Sequence, residues 1–239
     1  MKFTVGTMVL LLMRLSAGAQ MPGPTASSGI MAGLGQMFGS ISAFTAKTEV
    51  QVLDDSQQER IDTPMEFAFL DGKMRVEMDL SQARNRNMPA GMANSLKQMG
   101  LARVVSVFRP DKKTVYFIYP DQKILLSGPL ESGVKITTTP LGKEVLEGHP
   151  CVKNQLTMTD EKGHTTKAIV WNAKDLKDFP IQIQTTENGN NSFVRFSQIK
   201  FIQPDSSQFD PPGNVAQYSD QEQFKRAILT KIGADSGQK

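Results

Sequence analysis

Cysteine occurs once in the 239 residues, at Cys151, so no intrachain disulfide can form. Stability must come from core burial, which a chain of this length can supply. Histidine occurs twice, at His149 and His164. His149-Pro150-Cys151 sets two metal-binding side chains close together, but a structural zinc site takes four and no further Cys or His completes it. The patterns of common catalysis are also missing: no serine in a GxSxG setting, no P-loop, no dinucleotide-type glycine fingerprint. Asp160, Glu161, Asp175 and Asp178 fall in turn-like stretches, where carboxylates are ordinarily solvated. The chain therefore reads as non-enzymatic, with no cofactor and no metal. Aromatics make up 7% and the formal charge is +3, which gives no electrostatic footprint for nucleic acid.

Long hydrophobic runs are absent as well. The apolar stretch from Val5 to Leu15 is well short of the roughly 20 residues a spanning helix needs, and Arg14 interrupts it. With Lys2 ahead of it and the small residues Ala17-Gly18-Ala19 behind, residues 1–19 read as an export signal, cleaved near Ala19-Gln20. No cysteine stands at that point to take a lipid. The expected mature chain is exported, periplasmic or extracellular, and has no transmembrane segment. Its charge falls from +3 to +1, since Lys2 and Arg14 leave and no acid does.

What is present is a long series of strand patterns. Phe44, Ala46, Thr48, Val50 and Val52 alternate with more polar positions. Met65, Phe67 and Phe69 lead into Asp71-Gly72, and Met74, Val76, Met78 and Leu80 return from it with Lys73, Arg75, Glu77 and Asp79 between them. Asp-Gly tolerates the positive φ angles of a two-residue type I′ turn, so a hairpin is predicted here. Val105 and Val107, then Val115, Phe117 and Tyr119, then Ile124 and Leu126 alternate across the turn signals at Pro110–Lys113 and Pro120–Gln122. From Gly148 to Pro212 the pattern repeats with Val152, Leu156 and Met158, Ile169 and Trp171, Phe179, Ile181 and Ile183, and Phe193, Phe196, Ile199 and Phe201. Period two with one polar side predicts roughly nine to eleven antiparallel strands, packed on one face and wet on the other.

Helical signals are few and never alternate with strands, which argues against a parallel sheet. Residues 20–43 are a Gly- and Met-rich leader or a short helix, with Met31, Leu34, Met37, Phe38 and Ile41 near helical spacing. Met88, Met92, Leu96 and Met99 lie on one helical face and predict a helix inserted at 83–100 in a domain spanning 44–218. Ser219 and Glu222 have capping-box spacing ahead of Phe224, Ala227, Ile228 and Lys231, which predicts a last helix in 219–239. The fold class is mainly β (α+β): a curved antiparallel half-barrel sheet with helices packed on its concave face.

Methionine suits irregular or changing apolar surfaces, so the inserted helix reads either as a mobile lid over an apolar cavity or as an ordinary helix capping a core. The expected binding surface is the concave face (Phe67, Phe69, Met74, Val76, Met78 and Phe117) beneath Met88, Met92, Leu96 and Met99. Trp171 is either a further wall of that cavity or a core tryptophan whose indole N–H finds a partner.

Gly142-Lys143-Glu144, Gly148-His149-Pro150-Cys151, VWNAKDLKDFPIQI and FSQIKFIQPDSSQFDPPGNVAQY carry a resemblance to exported domains of unknown function related to the LolA/LolB-like lipoprotein-carrier superfamily. The resemblance implies an eleven-stranded half-barrel with helices plugging its concave face, closed by the Pro-Asp-x-Ser-x-Phe-x-x-Pro tail. It also implies binding of acyl chains between sheet and helices. The expected function is accordingly a binding protein for a lipid, an acyl chain or another apolar ligand. The alternative is a cell-envelope interaction module with a packed core and a protein partner.

Overall fold

The structure, a computed structural model, describes residues 28–236 apart from 54, 55, 57, 87, 131, 132, 162, 188 and 189. The expected export signal, its cleavage point, residues 237–239 and the centre of the turn between Glu187 and Asn190 lie outside the described residues, as does the side chain of Met31.

The chain begins with helix α1 (Ser28–Met37). Six long or medium strands follow: β1 (Ala43–Leu53), β2 (Glu59–Leu70), β3 (Lys73–Asp79), β5 (Arg103–Arg109), β6 (Thr114–Tyr119) and β7 (Ile124–Pro129). Between β3 and β5 come the two-residue β4 (Arg84–Asn85) and helix α2 (Met92–Gln98). The chain then crosses to β8 (Lys135–Leu146), β9 (His149–Thr159), β10 (Thr165–Ala173), β11 (Phe179–Glu187) and β12 (Asn190–Lys200). A short 3-10 turn (Ser206–Phe209), β13 (Ala216–Tyr218) and helix α3 (Gln221–Ser236) complete it.

These strands form one open, curved sheet in the order β13-β7-β6-β5-β3-β2-β1-β12-β11-β10-β9-β8, with β4 beside β2. It is two meanders joined where β12 returns to β1. The pairing is antiparallel except for β13, which runs parallel to β7. Thirteen strands exceed the predicted number because β4 and β13 are too short to show a period in sequence. Among the described residues no helix is long and apolar enough to cross a membrane, which says nothing of strands.

The β2–β3 hairpin follows the sequence closely. Asp71 and Gly72 have φ of 48° and 83°, positive at both central positions as a type I′ turn requires. Leu70 opposes Lys73, and Phe67 and Phe69 stand across from Val76 and Met74.

Helix α2 is shorter than the predicted 83–100. Gly91, at φ 83°, is left-handed and starts it, and Arg84 and Asn85 belong to a strand instead. Its end is a Schellman closure: Leu101 N–H donates to the Leu96 carbonyl and Gly100 N–H to that of Lys97, with Gly100 at φ 61°. The last helix is capped by Asp220, whose Oδ1 accepts from Gln223 N–H at 2.8 Å, and not by the predicted Ser219 box. Glu222 pairs with Lys225.

The expectation of one wet face fails over β2 and β5–β7, while β3 carries Lys73, Arg75, Glu77 and Asp79 on that side. A main apolar core fills the concave side, and a second core of Ala68, Leu70, Val105, Val107, Ile118 and Leu125 lies on the reverse. Phe209 covers that second core and is fully buried. Val105 and Val107 therefore face away from the concave core, while Val104 and Phe108 face it.

Candidate functional site

The concave core is centred on phenylalanines. Phe38, which follows α1, meets Phe44 at 4.7 Å, Phe69 at 4.9 Å and Phe179 at 5.6 Å between ring centroids. Phe44 and Phe67 stack at 5.6 Å. Such offset and edge-on pairs add to the burial of large rings.

Every residue predicted to bind ligand falls in this one apolar cluster. Phe67, Phe69, Met74, Val76, Met92, Leu96, Phe117 and Trp171 are buried in it, and Met78, Met88 and Met99 are half-buried against it. They are brought together as packed core. Phe38 occupies the centre of the face where a ligand was expected, a contact across the sheet that sequence spacing does not reveal.

The open space lies further along, over β8–β10. A cleft of about 440 Å³ is bounded by Gln36 and Met37 at the end of α1 and floored by Ile136, Thr138, Val152, Asn154, Leu156 and Val170, with Asn172, Lys174 and Asp178 at its margin. Its walls are set by register. Ile136 lies opposite Met158 and Thr138 opposite Leu156, while Val170 faces Asn154 and Asn172 faces Val152. Alternation then points one set of side chains into the same space. Within it Asn154 Nδ2 donates to Asn172 Oδ1 at 3.0 Å, and Asn172 Nδ2 to the Asp178 carbonyl at 2.9 Å. Gln36 Nε2 holds the Val134 carbonyl at 3.2 Å. The result is an aliphatic floor with a polar rim. Sequence reasoning marked Val152 and Leu156 as apolar strand positions and did not link them to a site. The missing signal was long-range: the cleft is walled on one side by the end of α1, which packs on β9.

Trp171 lines neither this cleft nor the smaller one described below. Its position alternates with Val170 and Asn172, and it stands opposite Lys153. Its Nε1–H donates to Glu144 Oε1, and the Lys153 ammonium sits 4.8 Å above the ring. The core reading of this residue is the one its contacts fit.

A second cleft of about 420 Å³ abuts the first through Val152 and Lys174 and is bounded also by Val145, Pro150 and Cys151. Near it, His149 Nδ1 lies 2.7 Å from Asp175 Oδ2. Cys151 is buried, its thiol donates to the His149 carbonyl at 3.3 Å, and burial raises its pKa above the usual thiol value. A protonated thiol engaged with its own strand is a poor nucleophile. Among the described residues no group of three or more His, Cys, Asp or Glu side chains is placed to hold a metal ion.

No family model and no curated protein matches the chain. Among solved structures it is similar to a LolA superfamily protein from Nitrosomonas europaea, at 10% identity and a TM-score of 0.39 over 77% of this chain and 96% of that one. LprF from Mycobacterium bovis is similar at 12% identity and a TM-score of 0.37, over 71% and 92%. The lipoprotein LppX from Mycobacterium tuberculosis is similar at 10% identity and a TM-score of 0.35, over 82% and 96%. All three likenesses have TM-scores below 0.5 and carry no argument about role or chemistry.

Proposed function

We propose that the chain is an exported, non-catalytic binding protein that holds a lipid acyl chain, or a similar apolar ligand with a polar end, in the cleft between α1 and β8–β10. The observation that carries this reading is the lining. Met37, Ile136, Val152, Leu156 and Val170 offer aliphatic surface, and amides together with Lys174 and Asp178 form a polar margin. A space of about 440 Å³ falls within the roughly 300–1,000 Å³ of small-molecule sites. Each buried methylene would contribute about 0.8 kcal/mol. In this reading Phe67, Phe69, Met74, Val76 and Phe117 belong to the packed core and do not line the ligand's cleft. The segment carrying Met88, Met92, Leu96 and Met99 is the side that repacks around a longer chain, as methionine permits.

The test is native mass spectrometry of the exported protein with solvent extraction, followed by titration with a fluorescent hexadecanoate. Extractable lipid is expected. Val152→Asp, at a half-buried cleft position, is expected to weaken probe uptake about tenfold, equivalent to about 1.4 kcal/mol, and Met88→Asp to do less. The reverse order would return the ligand to the Met-rich segment. A bare mass and no uptake would reject the reading.

One observation favours a second reading, an envelope interaction module without ligand: the phenylalanine packing fills the middle of the concave face. Such a module needs a partner surface.

A further inference from the structure

The two edges of the sheet are finished differently. At the β13–β7 edge, α3 lies against both strands, and Phe224 meets Tyr218 at 6.0 Å and Tyr119 at 5.7 Å between ring centroids. At the other edge β8 pairs with β9 on one side and, among the described residues, with nothing on the other. Nearly every residue of β8 is exposed, including Leu141 at 50% and Val145 at 72%. An outer row of backbone donors and acceptors beside exposed aliphatic groups is a template for another strand.

We propose that the Lys143–Leu146 end of β8 is a docking edge for an extended segment of a partner protein, an acidic strand whose aliphatic side chain enters the cleft beside Val145. Strand addition of this kind draws affinity from main-chain hydrogen bonds and specificity from a pocket that takes alternate side chains. The pocket is present: Val145, Pro150, Cys151 and Val152 give the 420 Å³ cleft an apolar lining immediately at the edge.

Charge selects the kind of strand. Glu144, the acid at this cleft, is already engaged, accepting from Trp171 Nε1–H and lying 3.6 Å from Lys153 Nζ. Lys143 stands in no ion pair among the described residues, and Lys174 shares its charge with Asp178 at 2.6 Å. Asp175, which also bears on this cleft, is engaged with His149 at 2.7 Å, so the unpaired charge left at the rim is the Lys143 ammonium, complementary to a carboxylate next to the inserted aliphatic group. A second copy of this chain fits less well. The β8–β9 register is irregular between Pro140 and Gly142, and Pro140 has no N–H to give. That interruption leaves only a short regular run at this end of β8, too little for two long edges to zip together. The proposal stands independently of the ligand reading.

The test uses the mature full chain and a phage-displayed library of random nonapeptides. Recovered peptides are expected to alternate aliphatic and acidic residues. Their Kd is expected to rise about tenfold or more in both Val145→Lys and Lys143→Glu, as for residues central to an interface, with unchanged far-UV circular dichroism. Failure to recover peptides, or peptides that bind both variants as well as the parent, would overturn the proposal. Loss in Val145→Lys alone would overturn its acidic specification. A concentration-dependent dimer seen by sedimentation and abolished by Val145→Lys would overturn the choice of partner in favour of a second copy.

Discussion

The two halves of the sheet are built from similar strands and end in opposite states. β5 is buried on both faces along nearly its whole length, while β8 is exposed along nearly its whole length. Local strand propensity does not separate them, since both are rich in β-branched residues. What separates them is the path of the chain after β12. The tail returns to the first half and seats Phe209 on its reverse face, near β3 and β5. It then adds β13 and α3 to the β7 edge. The second half receives neither. One half is thereby a double-sided scaffold, and the other keeps two clefts and a bare edge. Surfaces for recognition survive where the chain does not come back to cover them.

The largest test of that contrast is Phe209→Ala. Phe209 is fully buried, and truncating a buried aromatic ring costs about 3–5 kcal/mol through lost transfer energy and the cavity left behind. Urea unfolding should show a loss of that size. A loss below about 1 kcal/mol would mean the tail merely rests on the sheet, and the two halves would differ less than their burial indicates.

The next test concerns the ionic lock on the same tail. Arg109 is buried, donates to the Phe209 carbonyl at 3.1 Å and to Asp210, and forms a two-point pair with Asp111 at 2.9 and 2.7 Å. The Arg109 guanidinium holds the Asp111 carboxyl down from 3.8 to about 2. Lys112 first, and then Arg109, lower Asp210 as well. Both carboxyls are depressed in the folded state. Their contribution is therefore complete above pH 3.8 and is lost as pH falls from there towards about 2. Both are about half exposed, so solvent screens the effect. Arg109→Met should cost about 2–3 kcal/mol at neutral pH, as expected for hydrogen bonds to charged groups. It should also flatten the acid limb of a stability–pH profile between pH 4 and 2, the window set by Asp111. An unchanged acid limb would show that the tail is held by Phe209 alone.

How much of this was legible in the sequence depends on range. The Asp71-Gly72 hairpin was fully legible, because the turn dipeptide and the alternation on either side are adjacent in the chain. Open antiparallel architecture with helices on one face also followed from period and from the scarcity of helical signals. The double burial of β5–β7 was only half read. Arg103–Arg109 and Thr114–Tyr119 contain near-continuous apolar runs, RVVSVFR and TVYFIY, which mark strands covered on both sides. Reading them as simple alternation put Val105 and Val107 on the wrong face. The candidate site was least legible. The named aromatic and methionine residues do meet, but as core, because Phe38 packs among them from beyond α1, a segment that read as either a leader or a short helix. The cleft depends on where α1 ends relative to β8–β10, a distance that no spacing within either element encodes.

The smallest expected effect lies at the opposite end of the contrast and checks it from that side. Leu141→Ser and Val145→Ser remove aliphatic groups that are already 50% and 72% exposed. Little transfer energy is lost when a side chain leaves water for water, and Leu141 sits in the irregular stretch between Pro140 and Gly142, where pairing to β9 is already broken. Each substitution should change unfolding free energy by no more than about 0.5 kcal/mol, the usual range for surface positions away from special features. That is a small fraction of the Phe209→Ala cost, although all three are apolar residues near or upon the same sheet. A loss above about 1 kcal/mol that grows with protein concentration would carry a different meaning. It would place these side chains against a second copy of the chain in solution, and the bare edge of β8 would then be a self-association surface.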